Sequence, residues 1–342
     1  MKNYIIGLLA AILLLAPYNG FGATPLPEEI SQWRLAADQG DAKAQYNLGV
    51  IYENGQGVPQ NDTEATKWYL LAAQQGDAKA QLNIGWMYEN GKGVLKNSAE
   101  ALKWVRLAAQ QGHAKAQYNL GMYYYNGQGV PQNYAEALKW FRLAADQGVA
   151  VAQYNLGVMY QTGQGVQQDF AEAFKWHGLA AKQGHAMAQY HLGMYYYYGK
   201  GVPQNYAEAI KWYRLAAQQG DAKSQFNLGA IYDHGKGVPK NDAEAIKWYR
   251  LAAQQDDVNA QSCLGSMYYN GNGVPQNYTE AVKWYCLAAK QGDAKAQFII
   301  GSMYATGQGV PQNDAEAVRW FRLAAQQGDT RAQSALKSLG EQ

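Results

Sequence analysis

Three features of the sequence predict an all-α fold, an α/α superhelical solenoid of eight 36-residue helix-turn-helix repeats with half-repeat caps. Asp41-Ala-Lys-Ala-Gln recurs as Asp77-Ala-Lys-Ala-Gln, which sets the period of 36 residues. Eight of the ten tryptophans (Trp68, Trp104, Trp140, Trp176, Trp212, Trp248, Trp284 and Trp320) fall on that period, and only Trp33 and Trp86 lie off it. Each copy carries two segments with apolar residues three and four apart, separated by a run of turn formers. One such helix pair cannot bury its apolar face alone, so the copies must stack, each on its neighbours.

The chain begins with a different kind of segment. Lys2 precedes an apolar run from Ile5 to Ala16 that is too short to span a bilayer comfortably, and the pattern is that of a signal peptide. After Pro17, the small residues of Gly20-Phe21-Gly22-Ala23 place cleavage after Gly22, with Ala23 as the second choice, so residues 1–22 are expected to be removed. Loss of Lys2 takes the net charge from +2 to 2 − 1 = +1. This near-neutral balance points to neither a nucleic-acid partner nor an anionic membrane surface. Nothing after residue 22 is apolar for long enough to span a membrane, so no membrane insertion is expected after signal removal. A soluble protein in the periplasm or outside the cell follows as the expectation.

A half-repeat cap over residues 23–40 comes next, with its helical part from Pro27 to Gly40. The eight repeats then run without insertion over 41–76, 77–112, 113–148, 149–184, 185–220, 221–256, 257–292 and 293–328. Within a copy, numbered 1 to 36 from Asp41, positions 1 to 14 read as a first helix that Asp41 caps and Gly55 ends in the left-handed conformation. Leu48, Gly49 and Tyr52 form its buried stripe. Gly55-Gln-Gly-Val-Pro-Gln-Asn61 is a connector, and Asn61 with Glu64 makes a capping-box-like start to a second helix that ends at Gly76. Ala65, Trp68, Leu71 and Ala72 are expected on one apolar face of that helix, small residues letting helices approach closely. A polar half-repeat over 329–342 closes the array, lacking the tyrosine of position 12.

These residues carry a family resemblance. Ala114-Lys-Ala-Gln-Tyr-Asn-Leu-Gly-Met-Tyr-Tyr-Tyr-Asn-Gly-Gln-Gly-Val-Pro131, followed by Ala137-Leu-Lys-Trp-Phe-Arg-Leu-Ala-Ala-Asp-Gln-Gly148, resembles the Sel1-like repeat. The pattern is specific for fold and weak for function, because a repeat fold hosts many tasks. The resemblance implies a tetratricopeptide-like shape and adaptor work on one or more proteins, without a cofactor. Exported bacterial members are linked to host contact, which implies as an alternative a factor binding a secretory host protein such as an immunoglobulin. Some cysteine-rich exported members bind penicillin-like compounds, which implies as a further alternative a penicillin-binding or cell-wall hydrolase-like activity. Those members staple successive repeats through cysteines at positions 33 and 5, where this chain has Ala73 and Gln81.

Catalysis is not expected from the residues. The histidines His113, His177, His185, His191 and His234 form no i+3 or i+4 pair, so the usual zinc spacing is absent. His113 and His185 replace the capping aspartate, His177 replaces the aromatic of position 29, and His191 and His234 stand at variable polar positions. Ser334-Ala-Leu-Lys337 matches the serine-lysine pattern of penicillin-recognising enzymes, but it stands in the terminal cap without companion motifs. Glu208 and Lys211, present in kind in every copy, read as a cap and an i+3 pair on a solvated face. The two cysteines, Cys263 and Cys286, occupy positions 7 and 30 of repeat 7; they read either as a disulfide between antiparallel helices or as two independent substitutions.

Partner-specific information must lie where the copies differ. Positions 13 and 22 vary together: Tyr125 with Tyr134, Tyr197 with Tyr206 and Tyr269 with Tyr278, against Glu53 with Asp62, Asp233 with Asp242 and Glu89 with Ser98. The two positions should be adjacent at the connector edge, and paired acids argue that the edge faces solvent. The tyrosines, with Tyr198 and Phe170, then form an exposed aromatic ridge suited to a protein partner. The competing reading is that they pack on the loop of the next copy and only hold the stack.

Overall fold

A computed structural model describes residues 27–340. They form eighteen helices and, among the described residues, no strand. The expected signal peptide, 1–22, lies outside the described residues. The described chain divides into two compact units, one ending at Trp176 and one beginning at His177.

Unit 1 holds α1 (Pro27–Asp38), α2 (Ala42–Asn54), α3 (Asp62–Gln74), α4 (Ala78–Asn90), α5 (Ser98–Gln110), α6 (Ala114–Asn126), α7 (Tyr134–Asp146) and α8 (Ala150–Thr162). The helix α9 (Phe170–Lys182) begins in it. Unit 2 continues with α10 (Ala186–Tyr198), α11 (Tyr206–Gln218), α12 (Ala222–His234), α13 (Asp242–Ala253), α14 (Val258–Asn270), α15 (Tyr278–Lys290), α16 (Ala294–Thr306), α17 (Asp314–Gln326) and α18 (Thr330–Ser338). In each unit, first and second helices of a repeat pair as a hairpin, and each second helix packs on the first helix of the next repeat.

Local chemistry fixes both ends of α2 and the start of α3. The Asp41 carboxylate accepts from the Ala44 amide at 2.6 Å, and Gly55 ends α2 at φ 67° with its amide on the Ile51 carbonyl. The connector is pinned by the Asn61 amide donating to the Tyr52 carbonyl at 2.9 Å. The Asn61 side chain then accepts from the Thr63 and Glu64 amides, both at 3.1 Å, and starts α3. Position 36 is a glycine in the other repeats, whereas Asp256 takes the same left-handed turn at φ 62°.

The core lies between repeats. Ala65, Tyr69, Ala72 and Ala73 of α3 are buried with Ala80, Ile84 and Met87 of α4 and Trp104 of α5. Alanines bring the backbones close, and glycine at position 9 makes room for the ring of position 29: a Cβ on Gly49 would lie 2.4 Å from the Tyr69 ring. Leu71 departs from the expected face. It is 36% exposed, because three residues beyond Trp68 the helix has turned its side chain to the solvent edge.

A glutamine ladder joins the repeats at position 5. Gln81 Nε2 donates to the Ala73 carbonyl at 3.1 Å, and the Gln81 carbonyl accepts from Gln111 Nε2 at 2.8 Å. The same two bonds recur in unit 2, where Gln225 donates to Ala217 and accepts from Gln255. A buried amide that donates to one repeat and accepts from the other costs no unpaired polar group.

Candidate protein-binding surface

Positions 13 and 22 meet as the spacing predicts. The ring centroids of Tyr125 and Tyr134 lie 5.1 Å apart, those of Tyr197 and Tyr206 5.3 Å, and those of Tyr269 and Tyr278 5.1 Å, all edge to face. The exposed ridge, however, is corrected. Tyr125 is buried at 7% exposure, and Tyr134, Phe170, Tyr197, Tyr206, Tyr269 and Tyr278 are half-buried; of the eight residues only Tyr198, at 60%, is exposed. Burial pushes the Tyr125 hydroxyl up to about 12.

The cause is the connector of the following repeat. The Tyr125 hydroxyl donates to Gln164 Oε1 at 2.7 Å, and that of Tyr269 to Gln308 Oε1 at 3.0 Å. Gly165 approaches Tyr134 so closely that a Cβ would lie 2.7 Å from its backbone. The acid pairs meet protein partners. Glu53 accepts from the Tyr69 hydroxyl at 2.5 Å, while Lys92 of the next repeat lies 3.5 Å from Asp62. Burial holds the Glu53 carboxyl above its ordinary range. Positions 13 and 22 therefore vary together because they share one packing site.

The exposed apolar surface lies elsewhere. Position 31 is a leucine in every copy, and in unit 1 Leu35, Leu71, Leu107 and Leu143 stand 63%, 36%, 38% and 40% exposed. Unit 2 repeats the row with Leu179, Leu215, Leu251, Leu287 and Leu323. Lysines of position 27, with Arg319 in the last repeat, flank these rows, each beside the glutamate of position 24, as Lys211 is by Glu208 at 3.4 Å. In unit 2 a second feature reaches solvent: Tyr198 packs edge-on against Tyr197, 4.9 Å away, with the Lys200 ammonium 6.0 Å above its ring.

Of the two readings of the cysteines, the placement favours independent substitutions. Cys263 and Cys286 are free thiols that face different cores. Cys263 packs with α13 and α14, where the Tyr249 hydroxyl meets its sulfur, whereas Cys286 packs with α15 and α16. Position 7 looks towards position 29 of the preceding repeat, not towards position 30 of its own.

The same geometry places the histidines. His113 and His185 cap α6 and α10, each accepting a backbone amide on Nδ1 at 3.3 Å. His191, at a variable polar position, is buried and stacks on His177. Among the described residues no group of three or more His, Cys, Asp and Glu is placed to hold a metal. Ser334 donates its hydroxyl to the Thr330 carbonyl at 2.9 Å. One open groove of about 520 Å³ lies between α1 and α2, lined by Ile30, Leu35, Tyr52 and Val58. Its charged pair, Arg34 and Asp38, is 3.9 Å apart, and Arg34 also donates to the Tyr52 hydroxyl. No described helix is long and apolar enough to cross a membrane.

A stack of α-hairpins with interchangeable surface positions defines an α-solenoid scaffold. The Sel1 repeat family profile matches eight successive windows, 42–77, 78–113, 114–149, 150–185, 186–221, 222–257, 258–293 and 294–329, and the chain belongs to that family of protein–protein interaction scaffolds. It is similar to the structure of c5321, a protective antigen present in uropathogenic Escherichia coli strains, at 35% identity and a TM-score of 0.78 over 93% of this chain and 77% of that one. It is also similar to a Sel1 repeat protein from Oxalobacter formigenes, at 33% identity and a TM-score of 0.70 over 97% and 100%. No curated protein matches the chain.

Proposed function

We propose that this protein is an exported, non-enzymatic scaffold that holds other proteins against its repeat surface, in the periplasm or outside the cell. The observation that carries the reading is the similarity over 93% of the chain to a protective antigen. Export is supported by the leader-like residues 1–22, whose short apolar run follows a basic residue. The same similarity favours, as a second reading, contact with a secreted host protein. The rows of half-exposed leucines and the Tyr198 cluster are the apolar and aromatic surface a partner has to work with.

Fractionation and N-terminal sequencing test export, and a turnover assay tests the scaffold reading against an enzyme. The mature chain is expected in the periplasmic or culture fraction beginning at Ala23, with no turnover of a reporter β-lactam or of peptidoglycan. A cytoplasmic chain that retains Met1 would defeat the export reading. Turnover would defeat the scaffold reading.

A further inference from the structure

Unit 2 contains a mismatch at the site that positions 13 and 22 of one copy share with position 16 of the next. In unit 1 two combinations close this site. A tyrosine at position 13 meets a glutamine, as the Tyr125 hydroxyl donates to Gln164, and acids meet a lysine, as Asp62 pairs with Lys92 at 3.5 Å. Tyr269 and Gln308 repeat the first combination in unit 2 at 3.0 Å. Between repeats 5 and 6 the combinations are crossed: repeat 5 carries Tyr197 and Tyr206, and Lys236 holds position 16 of repeat 6. The connector still sits in its usual place, since a Cβ on Gly237 would run into the Tyr206 side chain. What is missing is an acceptor. The exposed Lys236 ammonium cannot accept from the Tyr197 hydroxyl, and the acid pair of repeat 6, Asp233 and Asp242, is held by Lys240 at 3.9 and 3.2 Å.

A second departure lies beside the first. Position 14 ends the first helix, and its small polar side chain commonly turns back on the preceding turn. Asn54 donates to the Val50 carbonyl at 2.9 Å, Asn90 to that of Trp86 at 2.8 Å and, in unit 2, Thr306 to that of Ser302 at 2.9 Å. Tyr198 holds this position in α10, and its 60% exposed ring has no polar atom close enough to the backbone to do the same. It packs edge-on against Tyr197 instead, at 4.9 Å. Tyr197 thus belongs to both departures.

We propose that the Tyr197–Tyr198 edge, with Lys236, is a docking site for an acidic segment of a partner protein, one that presents a carboxylate next to an aromatic or large apolar side chain. The proposal rests on the scaffold reading above and adds the chemistry of the partner. The carboxylate supplies the missing acceptor: it takes the Tyr197 hydroxyl and pairs with the Lys236 ammonium, as Asp62 does with Lys92. The apolar neighbour covers the outward ring of Tyr198, which is already held against Tyr197 and loses little freedom on binding.

Panning a random heptapeptide display library on the full chain tests the site, with Tyr198→Asn and Lys236→Gln as the comparison proteins. Each variant restores a residue that other copies carry, as at Asn54 and Gln164, so the stack is kept. Peptides selected by the wild type are expected to carry Asp or Glu next to an aromatic or large apolar residue. Resynthesised, they are expected to bind each variant at least about fivefold more weakly. Added salt should weaken binding to the wild type more than to Lys236→Gln. Equal binding by all three proteins overturns the site and leaves the scaffold reading standing. Selected peptides without an acid overturn the proposed chemistry. A polyuronate oligosaccharide that binds the wild type and neither variant, with no peptide selected, gives the site to a glycan and overturns a protein partner there. Selection of nothing, with no binding of the oligosaccharide, overturns the proposal and counts against the scaffold reading itself.

Discussion

At the scale of the residue, position 1 decides how each first helix begins. Asp77 accepts from the Ala80 amide at 2.7 Å, and His113 does the same with Nδ1 only while neutral. Burial lowers His113 and His185, so these two caps contribute above about pH 6.5 and are lost as pH falls. Val149 has no acceptor, and α8 starts without a side-chain cap. Val149→Asp is expected to add about 1 kcal/mol, read as a roughly fivefold rise in hydrogen-exchange protection of the first turn of α8. Unchanged protection would mean that the amides are satisfied in another way. Caps of this kind were legible in the sequence, because they depend only on residues three apart in one copy. The stacking of His177 on His191 is not legible within one copy, since it joins position 29 of one copy to position 7 of the next.

At the scale of the element, hairpins close because glycine at position 9 lets the ring of position 29 lie on the first helix. A Cβ on Gly193 would stand 2.5 Å from the Tyr213 ring, whose side chain is 1% exposed and has no free space to move into. Alanine gains about 1 kcal/mol of helix propensity there but forces α10 and α11 apart. Gly193→Ala is therefore expected to destabilise unit 2 by about 2 kcal/mol, measured by urea unfolding followed through tyrosine and tryptophan fluorescence. A variant as stable as the wild type would show that α11 can slide without loss. Pairing within the hairpin was predictable from the period, whereas exposure of the tyrosine pairs was not. That quantity is set by Gln164 and Gly165 for Tyr125 and Tyr134, residues that belong to the following connector.

At the scale of the whole molecule, the repeats separate what holds the stack from what is left for a partner. The glutamine ladder, the alanines and most of the tyrosines serve the stack. Tyr198 and the leucines of position 31 face outwards. The sequence made the fold plain because one solution repeats eight times, and each copy corroborates the others. It left the surface open, since exposure arises only when neighbouring copies are placed. Substituting the buried tyrosines would loosen the array itself, so a clean test of binding must use outward residues.

The measurement that tests the scaffold claim most directly is affinity capture from envelope extract and, separately, from host secretion. The bait is the mature chain, compared with Tyr198→Ser and with a variant carrying Leu215→Ser, Leu251→Ser and Leu287→Ser. A protein retained by the wild type and lost by one of these variants, with helical content unchanged, is the predicted result. Equal capture by all three proteins would contradict the assigned surface, and capture of nothing from either source would contradict the scaffold role.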